Sequence, residues 1–143
     1  MKNLVTLDIK RLNAKIYKAI SSRCRERNLG ITPVQARLLM FISEHDEVSA
    51  TDILQELKSI NKSTLSEILN SMEKNDLIIR EESATDSRRK TLRLTNKAKG
   101  IVDKMRNDFD NINKKALESV TKEEYSTFKA VLDKIERNIE KIC

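Results

Sequence analysis

Apolar side chains recur along most of this chain at helical spacing. Leu4, Leu7, Leu12, Ile16, Ala19, Ile20 and Cys24 form a stripe that predicts a first helix, with Gly30 suited to end it. Thr32-Pro33-Val34-Gln35 then supplies an N-cap, a proline for the first helical position and a glutamine placed for a capping box. The helix this predicts, from near Thr32 to His45, buries Ala36, Leu38, Leu39 and Ile42. Ser49-Ala50-Thr51-Asp52 is a second capping signature and opens a short helix with Ile53, Leu54 and Leu57 inside. Beyond the Lys58-Ser59-Ile60 connection, Asn61 caps another, with Leu65, Ile68, Leu69 and Met72 inward. Two short helices so closely joined have the shape of a helix-turn-helix.

The period then changes. Asn75-Asp76 suits a left-handed helix end, and Leu77 to Glu81 and Thr91 to Leu94 read as two strands. The loop between them is too long for a tight turn, and its adjacent cations Arg88, Arg89 and Lys90 repel one another unless an anion lies nearby. From Thr95 onward helical spacing returns. Thr95 caps a long helix that buries Ala98, Ile101, Val102, Met105, Phe109, Ile112, Ala116 and Val120. Thr121-Lys122-Glu123-Glu124 is a capping box for the last one, whose stripe is Phe128, Val131, Leu132, Ile135, Ile139 and Ile142.

The outer face of the helix after Asn61 carries chemistry. With Leu65 at the centre of the buried side, a turn of about 100° per residue puts Ser63, Glu67, Asn70 and Lys74 opposite, flanked by Ser66 and Ser71. A solvated helix favours Lys and Glu on such a face, because Ser and Asn cost helix propensity. Small hydrogen-bonding side chains suit a face that enters a groove.

Composition narrows the remaining classes. The 143 residues fit one domain, and 28 Lys plus Arg against 22 Asp plus Glu give a net charge of +6. That charge is a mosaic: net +6 over residues 1–29, −4 over 30–57, +4 over 58–99 and zero over 100–143. A local basic excess favours directed contact with a polyanion. Five aromatics argue against a base-stacking sheet for single-stranded RNA, and two cysteines with one histidine are too few for a zinc site. Two glycines cannot build a phosphate-cradling loop. There is neither a nucleophile paired with a base nor a membrane-length apolar run, so the expectation is a non-enzymatic protein of the cytoplasm, associated with the nucleoid.

In order and length the chain resembles the multiple-antibiotic-resistance regulator (MarR) family of bacterial winged-helix transcription factors. The resemblance rests on Asp86-Ser87-Arg88 followed by Leu94-Thr95, and on Asn61-Lys62-Ser63-Thr64-Leu65-Ser66 through Met72-Glu73-Lys74. Asp76 and Ala98 stand where the family commonly has glycine. The fold class implied is mainly α with a small β-hairpin wing. A winged helix-turn-helix lobe over residues 32–99 joins dimerisation helices over 1–29 and 100–143 in a single 1–143 domain. The function implied is that of a homodimer binding an inverted-repeat operator in double-stranded DNA, more as repressor than activator, without a cofactor or metal. Ser63, Ser66, Glu67 and Asn70 would face base edges, Asn being suited to adenine and Glu to cytosine. Lys62 and Thr64 would hold phosphates; Arg88 would enter the minor groove, oriented by Asp86, with Arg89 and Lys90 on the flanking backbone.

Family members respond to small anionic or phenolic effectors, or to oxidants through a cysteine. Cys24, beside Arg23, Arg25 and Arg27, is the candidate redox residue, yet it also continues the first helix's apolar stripe as a core residue would. The alternative function is a winged-helix protein-interaction adaptor without specific DNA readout, which would have no use for the wing's cations.

Overall fold

The computed structural model describes residues 5–143, so Leu4 of the first stripe lies outside the described residues. Local capping chemistry sets most helix starts. In α2 (Pro33–Ser43) the Gln35 amide donates to Thr32 Oγ1 at 3.2 Å while the Thr32 amide donates to Gln35 Oε1 at 3.1 Å. In α3 (Ala50–Glu56) the Ser49 amide donates to Asp52 Oδ2 at 2.8 Å and the Asp52 amide to Ser49 Oγ at 3.3 Å. Asn61 Oδ1 accepts from the Thr64 amide at 2.8 Å to open α4 (Lys62–Lys74). Each bond satisfies an amide that the first helical turn leaves without a partner.

The first helix, α1 (Val5–Glu26), ends earlier than Gly30 predicts. Asn28 turns left-handed at φ 50°, and the Leu29 amide reaches back to the Cys24 carbonyl at 3.3 Å. Asparagine tolerates that conformation, so it closes the helix and Gly30, at φ 68°, serves the connection beyond it.

Asp76, at φ 58°, makes the corresponding turn after α4. It leads into a two-stranded antiparallel sheet of β1 (Ile78–Glu82) and β2 (Lys90–Leu94), in the register Ile78↔Leu94, Arg80↔Leu92, Glu82↔Lys90. β1 begins one residue later than the sequence predicts, because Leu77 is taken by the helix end: its amide bonds to the Met72 carbonyl and its own carbonyl accepts from Thr95; β2 begins one residue earlier, where Lys90 pairs with Glu82. The Leu92 amide also bonds to the Val48 carbonyl at 2.7 Å, which ties the hairpin to the segment entering α3.

Thr95 Oγ1 accepts from the Ala98 amide at 3.1 Å at the start of α5 (Asn96–Ala116). That helix stops short of Val120, because Ser119 adopts φ 65° and reverses the chain. The Thr121 capping box then opens α6 (Lys122–Glu140).

The chain packs as two compact units, one ending at Asp110 and the other comprising Asn111–Cys143. In the first, Leu38, Leu39, Ile53, Leu65, Leu69, Met72, Leu77 and Ile78 are almost fully buried, and Ala98, Val102 and Met105 of α5 join them. Each large side chain removed from water in this way stabilises the lobe by about 1.5–3 kcal/mol. Cys24 is buried too, whereas Val5, Leu7, Ile9, Leu12, Ile16 and Tyr17 on the same helix are 41–56% exposed. In the second unit α6 buries no residue, and Tyr125, Phe128, Val131 and Ile139 stand open. Among the described residues no helix is long and apolar enough to cross a membrane.

Candidate nucleic-acid interface

Burial of Leu65, Leu69 and Met72 fixes the rotation of α4 and turns its other side outward. Ser63, Thr64, Ser66, Glu67 and Asn70 are all exposed there, as their spacing predicts. Lys62 stands in the first turn, where the helix dipole adds positive potential. With Ser66, Arg80 and Lys90 it rims a groove of about 230 Å3 whose floor includes Leu54, Leu65 and Leu92.

Arg80 escaped the sequence reading. Its Nη2 donates to Asn70 Oδ1 at 3.1 Å and its Nε lies 3.2 Å from Glu73 Oε2, so β1 grips the outer face of α4. The Asn70 amide is thereby oriented before any ligand arrives, with its carbonyl oxygen toward Arg80. Bidentate recognition of adenine uses both ends of that amide, so its Nδ2 donors are the better placed end.

The wing is ordered by its own polar groups. Asp86 Oδ1 accepts from the Arg88 backbone amide at 3.0 Å and from Arg88 Nε at 3.3 Å. The carboxylate thus aims a guanidinium whose side chain is 90% exposed. Ser83, buried at the base of the loop, accepts from the Thr85 and Asp86 amides at 3.2 and 3.3 Å, and the Arg89 amide closes onto the Asp86 carbonyl at 3.0 Å.

Two acidic residues outside the wing hold it, and neither was singled out for this from sequence. Glu47 accepts from Ser83 Oγ at 3.0 Å, the Ala84 amide at 3.2 Å and Thr85 Oγ1 at 3.3 Å. Asp52, the capping carboxylate of α3, also forms an ion pair with Arg89, whose Nη2 donates to Ser49 Oγ at 2.9 Å. Burial works to raise the Asp52 pKa, but the Ser49 amide, the Arg89 guanidinium and the Ser49 hydroxyl outweigh it and the net shift is downward. Of the two cations expected on the flanking DNA backbone, Arg89 has its guanidinium turned onto α3 while its side chain stays half exposed, and Lys90 is exposed beside it.

Cys24, the candidate redox residue, is buried. Burial, and then the nearby Asp108 carboxylate, push its thiol pKa up, the direction opposite to thiolate activation. The flanking arginines do not offset this: Arg27 makes two 2.8 Å bonds to Asp108, and Arg23 pairs with Glu26 at 3.0 Å. His45 Nδ1 lies 2.8 Å from the Phe41 carbonyl, and among the described residues no cluster of metal-ligating side chains occurs.

Residues 29–89 match the sequence model of the MarR family, a span that takes in α2, α3, α4, β1 and the wing through Arg89. Over 97% of its length the chain also superposes, at 25% identity and a TM-score of 0.81, on 90% of a putative MarR family transcriptional regulator from Listeria monocytogenes complexed with 26mer DNA. Over residues 29–89 the chain thus carries the sequence pattern of the MarR family, and it shares the fold of the Listeria regulator over nearly its whole length. The MepR–DNA complex of S. aureus shares the fold at a TM-score of 0.83 and 23% identity, covering 96% of this chain and 99% of that one. The transcription regulator MarR of Oenococcus oeni PSU-1 does so at 0.82 and 23%, covering 94% and 99%. No curated protein matches the chain in sequence. In this fold the Asp86-Ser87-Arg88 stretch falls at the wing tip and Leu94-Thr95 at the junction of β2 with α5.

Proposed function

We propose that this protein is a non-enzymatic transcription regulator of the MarR family that reads double-stranded DNA sequence-specifically as a homodimer, and that it acts as a repressor on an inverted-repeat operator. The observation that carries this reading is the pairing of an α4 face made of Ser63, Ser66, Glu67 and Asn70 with an adjacent wing that presents Arg88 on an Asp86 support. The first suits a major groove and the second a minor groove. The DNA-bound Listeria and S. aureus relatives support it by likeness.

Homodimerisation is supported by the exposed apolar residues of α1 and α6, a burden that a monomer leaves to water. On this reading residues 32–99 are the reading lobe, while 1–29 and 100–143 pair two copies. Two α4 helices then meet successive major grooves about one helical turn apart.

Release by a small anionic or phenolic molecule is supported by a cavity of about 450 Å3 between α1, α2 and the Asn96–Asp110 part of α5. Tyr17, Ile20, Val34, Met40 and Phe109 give it apolar walls, and Arg37 and Asn13 supply polar edges. The raised Cys24 pKa favours this route over an oxidant.

The test is selection of duplexes from a random-sequence pool, followed by fluorescence anisotropy against random competitor. The expected result is an enriched inverted repeat bound by two copies of the chain and released by a phenolic carboxylate. Equal binding of selected and random duplexes would leave the adaptor reading in its place.

A further inference from the structure

The acidic stretch that enters α3 meets the wing through three contacts in a row. Glu47 holds Ser83, Ala84 and Thr85 on the β1 side of the loop. Val48 bonds to Leu92 of β2 at 2.7 Å. Ser49 and Asp52 hold Arg89 on the β2 side. The cation and the carboxylate lie 37 residues apart in sequence, so this contact joins two elements and does not belong to either one's local folding. Asp52 is already fixed by the capping box, where it accepts from the Ser49 amide at 2.8 Å and from Ser49 Oγ at 3.0 Å. A carboxylate oriented in this way offers Arg89 a rigid anchor.

We propose that Arg89 is a positioning residue of the wing: its pairing with Asp52 and Ser49 sets the angle at which the adjacent Arg88 meets DNA, and it does not itself neutralise a phosphate. The proposal rests on the DNA-reading function argued above. It divides the three wing cations by role, with Arg88 reading, Lys90 on phosphate and Arg89 bracing. It also gives the acidic segment a task, since Glu47 and Asp52 balance the wing from its protein side.

The two roles for Arg89 predict opposite signs for one substitution. If Arg89 is a phosphate ligand restrained by Asp52, then Asp52→Asn frees it, removes a negative charge near DNA and tightens binding. If Arg89 is a brace, Asp52→Asn loosens the wing and weakens binding. The experiment measures anisotropy of wild type, Arg89→Met, Asp52→Asn and the double variant on a duplex enriched from a random pool, at several salt concentrations.

The expected result is that each single variant weakens specific binding by about 3- to 10-fold, with the double variant no worse than either single one. The slope of log K against log salt should match the wild type in Arg89→Met. A slope reduced by about 0.9 per protomer, unchanged affinity, or tighter binding by Asp52→Asn overturns the proposal. Should Asp52→Asn fail to fold through loss of its cap, the Arg89→Met slope decides alone.

Hydrogen exchange without DNA separates this proposal from the function it rests on. Arg89→Met should speed exchange of the Ser83 amide, which donates to the Arg89 carbonyl, and of the Arg89-position amide, which donates to the Asp86 carbonyl. Unchanged exchange overturns the brace even if DNA binding is specific. Faster exchange in a protein that does not distinguish selected from random duplexes upholds the brace and removes the DNA-reading function.

Discussion

Arg88→Ala separates reading from folding. The Arg88 side chain is 90% exposed, and its one ion pair, to Asp86 at 3.3 Å, is a surface pair worth about 0.5 kcal/mol or less to the fold. Alanine keeps the backbone amide that donates to Asp86 at 3.0 Å, so the wing turn keeps its internal bond. The thermal midpoint should therefore move by no more than about 2 °C. On DNA the balance is reversed. A base-edge contact is worth about 1–3 kcal/mol, and the proposed dimer loses two, so specific affinity should fall by about 30-fold to 10^4-fold. Anisotropy on a selected duplex and on a random one, with thermal unfolding of the same preparations, measures both quantities. If the variant loses affinity equally on both duplexes and its salt slope drops by about 0.9 per protomer, Arg88 is a phosphate ligand and the minor-groove assignment fails. A midpoint lowered by many degrees would show that the wing depends on this side chain to fold.

Other substitutions test other parts of the molecule. Asp108 is held below the usual carboxylate range by its hydrogen bonds from Arg27, which outweigh the opposing effect of burial. Its contribution to stability is thus complete above the unfolded value of about 3.9 and is lost as pH falls through the lower folded value. Urea midpoints from neutral to acid pH should show Asp108→Asn less stable than wild type near neutrality, with the gap closing below pH ~4; a gap independent of pH would refute the pairing. Asp76 holds φ 58°, so Asp76→Gly should raise stability by about 0.5–1 kcal/mol without altering DNA affinity, as read by denaturation and anisotropy. Met72 is fully buried beneath the outward face of α4, and Met72→Ala should cost about 2–5 kcal/mol in chemical denaturation. Thiol titration of the native protein should modify exposed Cys143 alone, and buried Cys24 only after unfolding; fast labelling of both would contradict the burial.

What was legible in the sequence was local. The capping boxes at Thr32, Ser49 and Thr121 each lie within four residues, and all three form. The inward positions of α4 follow from periodicity, and the Asp86–Arg88 contact spans only two residues. The partners of Arg80 and Arg89 could not be read the same way. Arg80 meets Asn70 ten residues away as well as Glu73, Arg89 meets Asp52 at a separation of 37, and the chain contains many carboxylates that could have met either cation. Helix ends also misled where asparagine or serine adopted a conformation expected of glycine, as at Asn28 and Ser119. Cys24 shows the limit of adjacency: three arginines beside it in sequence leave its thiol dominated by burial and by Asp108.

Thr95 has a mechanical consequence. Its hydroxyl donates to the Asp76 carbonyl at 2.7 Å and accepts the Ala98 amide, while its own amide bonds to the Leu77 carbonyl and Lys97 Nζ reaches the Asn75 carbonyl at 2.9 Å. The residues that follow the last turn of α4 are thus joined to the start of α5 by three hydrogen bonds, two from Thr95 and one from Lys97. On the proposed function, a molecule that tilts the start of α5 would re-aim α4 directly, like a hand on a lever arm, without touching the face proposed to read DNA. The proposed induction and recognition would then occupy separate surfaces of so small a protein and still answer to one another.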